Sequence, residues 1–530
     1  MSTSSFNLKS IQLKNFKGYL GESQEIEFAI PDGTPGSGLN ILVGENNGGK
    51  STLLEAIFFL YNNSQQGQIE SNKKSPDDKC AVIGKFTSPE LSEIVSKFTS
   101  NQKHTTSIQN KIISDEYLKV QRSSSNAKTL YFLNETEGFE SKGENITGID
   151  TALSSYFDLY SIKASDDPQQ LASYGSKTFT KNLLESIFKN ATETEEYQAL
   201  KKAFDCFFNT SESSLKQQIR EVEKNLTNEL NAFFGEGSVS FQIPTPDVNS
   251  IVKNLDMTID AAGANVPLKE HGNGLQRMVA FALLVVWANC QEKNPTKTES
   301  KPYALILDEP EICMHPRAQQ MLLRALLTLS QTHQVFVSTH SPLFLHLPEI
   351  KNTNLITCKN EDGIRKAHNI KDFANLFSWS PSWSEIAWFA YQMPSVEFHN
   401  ELWGEIDVFI KNLANKNEET NNKSINDKKL DTIIRKISSN LLKEKIQLEN
   451  WINDKSKNTK NKTNANNDYF SICYCVRNAI HHLENCITNP KPRDIIDIHL
   501  QQSIQHLIPL LKIIKNKDHK DAILEIIKNS

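Results

Sequence analysis

Apolar residues recur at every second position near the start of the chain, at Ile11 and Leu13 and again at Ile26, Phe28 and Ile30, the spacing of half-buried strands. The run Leu39–Val43 reads as a short buried strand, and PDGTPGSG (31–38) turns the chain ahead of it. After a Gly-rich stretch at 44–52 the spacing becomes helical, with Leu53, Leu54, Ile57, Phe58 and Tyr61 apolar. Further on, 275–287 reads as a continuous apolar helix, and 303–307 and 335–339 as strands with helix Pro316–Leu329 between them. Strand, helix, strand in that order predicts a βαβ unit and a parallel sheet.

The remaining patterns are of two kinds. Residues 62–130 are polar and rich in Ser and Lys, and 180–232 read as helices heavy in Lys, Glu and Gln without regular heptads, so this middle part is expected to be an insertion. Residues 415–429 and 455–467 are Asn/Lys-rich with almost no large apolar side chains, which predicts loops that bury too little surface to offset ordering entropy. Around them, 430–454 and 468–529 read as helices with no strand pattern. The expected units are 1–62 and 241–392 as two parts of one head, 63–240 as a mostly helical insertion, and 393–530 as an all-α C-terminal domain.

At 530 residues the chain exceeds what one core supports, which fits this division. Hydrophobic content of 38% with 23% charged residues is an ordinary globular balance, and no apolar run reaches the roughly 18 residues of a membrane span. A net charge of −5 argues against a uniformly basic nucleic-acid binder. The start MSTSSFNLKS has neither the basic residues nor the apolar stretch of a signal peptide, and the eight cysteines are scattered, so the expectation is a cytoplasmic protein with no membrane contact. Cys473 and Cys475 form a C-x-C pair with no second pair at ligand spacing and are expected in a helix core.

GENNGGKST (44–52) fits G-x-x-x-x-G-K-[ST] in the strand-to-helix setting that this motif requires. Gly44, Gly48 and Gly49 allow backbone N–H groups to converge on phosphate oxygens, with Glu45, Asn46, Asn47 and Thr52 completing the nucleotide-binding loop. Lys50 is expected to reach the β- and γ-phosphates of ATP, and Ser51 to ligate Mg²⁺. YALILDEP (303–310) is an apolar strand ending in two carboxylates. Asp308 is expected at the metal, and Glu309, one residue on, as the general base that polarises the attacking water.

The motifs IQLKNFK (11–17), GENNGGKST, HGNGLQR (271–277), LILDEPEICMHP (305–316) and VSTHSP (337–342) occur in that order. Together they resemble the RecF/SMC/OLD branch of ABC ATPases over about 1–60 and 265–350. The resemblance implies an α/β ABC-type P-loop ATPase head, working as a homodimer or higher even oligomer in which two heads sandwich two ATP molecules. It implies that Gly272, Asn273, Gly274 and Gln276, in the signature position, face the partner's γ-phosphate, and that His340 is the switch histidine. Lys17 stands either near the nucleotide or on a solvated loop. For the family's Q-loop glutamine, Gln121, Gln169 and Gln170 all remain open.

OLD-type proteins usually carry a Toprim nuclease after the ATPase, but 350–530 holds no Asp-x-Asp, and that domain is not expected. FSICYCVRNAIHHLEN (470–485) instead places Arg477 and His482 with four residues between them, which resembles the R-x(4–6)-H motif of HEPN ribonucleases. In that family the arginine stabilises phosphate charge and the histidine moves a proton, without metal. On a helix Arg477 shares a face with His481 rather than His482. The alternative is a basic helix packed against Glu397, Glu401, Glu405 and Asp407, or docked on a partner. Three functions follow: an antiphage-defence or toxin-like ATPase that controls a built-in ribonuclease acting on RNA, an ATPase scaffold that holds and releases a separate nuclease effector, and DNA repair in the RecF or SMC manner.

Overall fold

The computed structural model describes residues 6–61, 72, 74, 79–97, 102–114, 116–126, 129–145, 158–167, 194–208, 213–234, 237–241, 257–261, 264–293, 303–345, 348–372, 375–415, 425–444, 448–450, 469–481 and 492–530. Two sheets build the head. The first is antiparallel and contains β1 (Asn7–Lys14), β2 (Ile26–Glu27), β4 (Ala81–Thr87), β5 (Ile112–Ile113), β6 (Tyr117–Ser123) and β7 (Tyr131–Leu133). The second contains β3 (Leu39–Val43), β8 (Asp158–Ile162), β11 (Tyr303–Asp308), β12 (Gln334–Ser338), β13 (Asn354–Glu361) and β14 (Ile364–Asn369), in the order β14-β13-β3-β12-β11-β8. All its pairs are parallel except β13 with β14.

Every residue of β3 and β12 is buried, as a parallel strand covered on both faces requires. Because β3, β12 and β11 run the same way, with Leu42 opposite Ser338 and Ser338 opposite Asp308, their following loops emerge side by side at the carboxyl edge.

Helix α1 (Lys50–Tyr61) lies between the sheets, which is why it is apolar nearly all round. One core joins its Leu53, Ile57 and Leu60 to Leu8, Val82 and Leu118 of the antiparallel sheet and to Ile306 and Phe336 of the parallel one. The expected helical insertion begins too early: 81–133 supplies four strands of the antiparallel sheet and two short helices, α2 (Leu91–Lys97) and α3 (Gln102–Gln109). Its polar letters mislead because several are buried with partners. Lys119 donates to Glu135 O at 3.1 Å, Gln121 to Phe139 O at 3.3 Å, and Arg122 sits 6.0 Å from the Phe59 ring centre.

Helices α4 (Glu195–Phe208) and α5 (Ser214–Phe234) follow, then the hairpin β9 (Thr258–Ala261) and β10 (Ala264–Pro267), which leads to α6 (Asn273–Lys293). Helix α7 (Pro316–Leu329) covers the other face of the parallel sheet with Leu322, Leu323, Leu326 and Leu327, its start capped by His315 Nδ1 accepting from the Arg317 N–H at 3.2 Å.

The C-terminal part contains α8 (Trp383–Tyr391), α9 (Val396–Asn415), α10 (Asp427–Ile437), α11 (Ile472–His481), α12 (Pro492–Lys515) and α13 (Lys520–Lys528). It is helical but not purely so: β15 (Leu448–Asn450) pairs with β16 (Tyr469–Ser471), and a π turn occupies Ser438–Leu442. Helix α8 belongs to two cores, Ile386 and Ala390 to the head's and Trp388 and Phe389 also against that of α9 to α13. Among the described residues no helix is long and apolar enough to cross a membrane.

Candidate functional site

The loop after β3 is shaped by close backbone approach to β13. A Cβ on Gly44, whose φ is +142°, would stand 2.0 Å from the Cys358 carbonyl oxygen, and one on Gly48 would stand 2.5 Å from it. Asn47 and Gly49 also take positive φ, at 65° and 104°, so the chain curls around a concavity before α1 begins. Lys50 Nζ reaches back across this curl and donates to Gly44 O and Glu45 O, each at 3.0 Å. Burial lowers its pKa from the usual lysine range, and Glu309 and Asp308 act the other way.

Arg365, on the edge strand β14, clamps this loop from outside. Its Nε donates to Asn47 O at 3.2 Å, one Nη to Asn47 Oδ1, and the other to Thr52 Oγ1 at 2.9 Å. A lone arginine in a strand carries no spacing signal, so only the fold reveals it. Lys17 ion-pairs with Glu55 of α1.

Across the edge, Asp308 Oδ1 accepts from Ser51 Oγ at 3.0 Å and from Ser338 Oγ at 2.5 Å, which brings the start of α1 and the ends of β11 and β12 to one oxygen. Glu309 has a φ of 48°, a left-handed turn that aims its side chain off the strand direction. Its N–H is held by Ser338 O at 3.1 Å and Ser338 Oγ at 3.0 Å. His340 Nε2 lies 3.5 Å from Glu309 Oε1. Burial and the Lys50 charge hold that imidazole below its ordinary 6.5, against the pull of Glu309 and Asp308. Tyr391 of α8 stands at the back, its hydroxyl pushed up to about 12 by burial and then by the Glu311 charge.

Gly272 and Asn273 are exposed at the start of α6. Gly274 lets that helix rest on the turn after Glu309, since a Cβ there would meet Cys313 O at 2.5 Å. Gln276 does not face outward: it is buried, and its Nε2 donates to His271 O at 2.6 Å and Lys269 O at 3.3 Å, so it shapes the turn. Arg277 is also buried and donates to Ala164 O at 2.6 Å, tying α6 to the loop after β8. That loop borders a cleft lined by Ser51, Glu55, Ser161, Lys163 and Asp308. Gln121 is spent inside the antiparallel sheet, and Gln169 and Gln170 lie outside the described residues.

In the C-terminal part, Arg477 pairs with Asp427 Oδ2 at 2.7 Å and lies 5.5 Å from the Trp403 ring centre. Its partner is thus Asp427 and not Glu397, Glu401, Glu405 or Asp407. Glu405 instead takes Lys515 at 2.6 Å and Asp407 takes Lys411 at 2.7 Å. His481 closes α11, and His482 of the expected Arg477/His482 pair lies outside the described residues. Cys473 and Cys475 are both buried in the helical core.

The convergence of a glycine loop, a lysine and a strand end with two carboxylates agrees with comparison to known proteins: the model of the AAA ATPase domain family matches residues 7–345. The chain belongs to this family. The chain is similar to the Old nuclease of Escherichia phage P2, 25% identical over 334 residues that cover 61% of this chain and 56% of that protein. It is also similar to the OLD nuclease of Thermus scotoductus, 23% identical over 163 residues and 28% of each chain. The chain spans about half the length of the former and less of the latter. Among solved structures, similarity extends to the Smc head domain of Pyrococcus furiosus bound to the C-terminal domain of ScpA (16% identity, TM-score 0.38, 69% of this chain and 96% of that one). It extends too to the recombination mediator RecF with ATP (13% identity, TM-score 0.33, 69% and 99%).

Proposed function

We propose that this chain is a cytoplasmic ATP-hydrolysing enzyme of the OLD kind, in which the ATP state of paired heads governs the helical C-terminal domain. The observation that carries it is the meeting of Ser51 and Ser338 on one oxygen of Asp308, with Lys50, Glu309 and His340 beside it. ATP is the substrate. The N–H groups of 44–52 and the start of α1 receive its phosphates, and Lys50 exchanges its carbonyl partners for phosphate oxygens. Ser51 and Asp308 are the oxygen donors that suit Mg²⁺, which when bound neutralises phosphate charge. Glu309 takes the proton of the attacking water, and neutral His340, with one ring N–H, holds Glu309 in place until that N–H turns to the γ-phosphate. The exposed Gly272 and Asn273, with Gly274 beside them, serve the partner head, so the active form is a homodimer or higher even oligomer.

For the output, the Arg477–Asp427 ion pair favours a docking domain that holds a nuclease effector in antiphage defence, because a guanidinium already neutralised has less to offer a phosphate. The second reading keeps the ribonuclease, with Arg477 and His482 meeting across a dimer to cut RNA.

The test is ATP binding and phosphate release by the purified chain. Lys50→Ala is expected to abolish both, and wild-type protein that releases no phosphate, or Lys50→Ala that still turns over, overturns the proposal. RNA incubated with the ATP-loaded protein separates the outputs: no cutting supports docking, while cutting lost in both Arg477→Ala and His482→Ala supports the ribonuclease.

A further inference from the structure

Two residues beyond Glu309 lies a second carboxylate, Glu311, which the mechanism above does not use. Its Oε1 accepts three hydrogen bonds, all from residues 339–341: Thr339 Oγ1 at 2.8 Å, the His340 N–H at 2.7 Å and the Ser341 N–H at 3.2 Å. This stretch leaves β12 at Ser338, where the Thr339 N–H still bonds Leu42 O of β3 at 3.1 Å, and enters the 3₁₀ turn Pro342–Leu345, so the His340 and Ser341 N–H groups have no ladder to join. Gln319 of α7 grips the far end, accepting from Ser341 Oγ at 2.6 Å and donating to Met314 O at 3.0 Å. The other Glu311 oxygen, Oε2, is buried without a hydrogen-bond partner among the described residues. Keeping a carboxylate in such surroundings is costly, and a core needing only apolar contact would not hold one. What it supplies is a single acceptor to which three successive residues bond.

We infer that Glu311 is a positioning residue for ATP hydrolysis: it fixes the backbone of 339–341 and thereby holds the His340 imidazole against Glu309. The inference rests on the proposed ATPase reading. The chain of contact is short. Glu309 and Glu311 share one turn, Glu311 grips the loop, and the loop carries His340 back to 3.5 Å from Glu309. Losing the clamp frees the loop while the phosphate-binding curl of 44–50, held by β13 and Arg365, keeps its shape. The rate of hydrolysis, not ATP affinity, is therefore what Glu311 controls.

The test uses the full chain with Glu311→Ala and Glu311→Gln. Displacement of a positioned group by about 1 Å can cost on the order of 100-fold in rate. Glu311→Ala is thus expected to lower kcat at least about 10-fold, with KM for ATP within about threefold of wild type. Glu311→Gln, whose amide oxygen can accept the same bonds, is expected to restore most of kcat. Wild-type kcat in Glu311→Ala overturns the inference. So does a joint loss of kcat, ATP affinity and melting temperature in both variants, which marks a packing role only. A second readout holds even if the chain does not hydrolyse ATP. The titration of His340, faced by Lys50, Glu309 and Asp308, can be followed by NMR of labelled histidine. In Glu311→Ala it moves up toward 6.5 as the ring is freed to water, and an unchanged titration overturns the inference. Absence of hydrolysis in wild type, with His340 shifting in Glu311→Ala, refutes the ATPase reading and leaves the clamp standing.

Discussion

Gly44 shows how closely single residues constrain this site. Its φ of +142° is open to glycine and its missing Cβ makes room for the Cys358 carbonyl, so Gly44→Ala meets strain and a clash together. That variant is expected to lose ATP binding and about 2 kcal/mol or more of stability, measured by nucleotide titration and thermal melting. His333 yields a pH prediction. Its ring stacks on Tyr303 with centroids 3.8 Å apart, and burial lowers its pKa from 6.5 to about 4. The unfolded chain takes up this proton near 6.5 and the folded one only near 4. Stability is therefore full above about 6.5 and falls as the pH drops toward 4, by on the order of 2 kcal/mol once the ring's partial exposure is allowed for. His333→Phe keeps the stack and is expected to flatten this part of the melting-temperature profile relative to wild type. If the two profiles coincide, His333 is not the source. Lys50, Asp308, Glu309 and His340 are legible in the sequence because each sits in a motif whose letters fix its neighbours. Arg365 and Glu311 are not, because their partners, Asn47 and residues 339–341, come together only through sheet order.

Elements were legible where both faces are apolar and obscured where polar residues are buried. Strands β3, β11 and β12 and helix α7 lie within a residue or two of the expected positions, since continuous apolar runs and the helical spacing of Leu322, Leu323, Leu326 and Leu327 leave little choice. The antiparallel strand β6 was hidden by Lys119, Gln121 and Arg122, whose side chains reach carbonyls or a ring inside the fold. Helix α7 holds one face of the sheet and positions Gln319, so its core contacts bear on the site. Leu323→Ala and Leu326→Ala, both at fully buried positions, are each expected to cost about 3 kcal/mol. Chemical denaturation of each variant measures this, and a loss below about 1 kcal/mol would mean that α7 is not the structural support described here.

For the whole molecule, helix α8 is shared by the cores of the head and of the helical C-terminal part, and on the proposed reading it links the nucleotide site to the output. Tyr391 stands behind the loop at Gly44 and Glu311, and Trp388 and Phe389, three residues away or fewer, pack on the helical domain. The exposed start of α6 predicts that assembly depends on ATP. With Glu309→Gln, ATP is expected to double the molar mass seen by light scattering, or to tighten an existing dimer, and Gly274→Asp is expected to remove that effect. Unchanged assembly in Gly274→Asp would dismiss 272–277 as the surface that meets the partner's nucleotide. The most direct test of the account is steady-state phosphate release by Glu309→Gln beside wild type, with ATP affinity measured on the same samples. The account predicts wild-type affinity and a rate lower by at least about 100-fold, since only the proton acceptor is removed. Phosphate release by Glu309→Gln at the wild-type rate would contradict it.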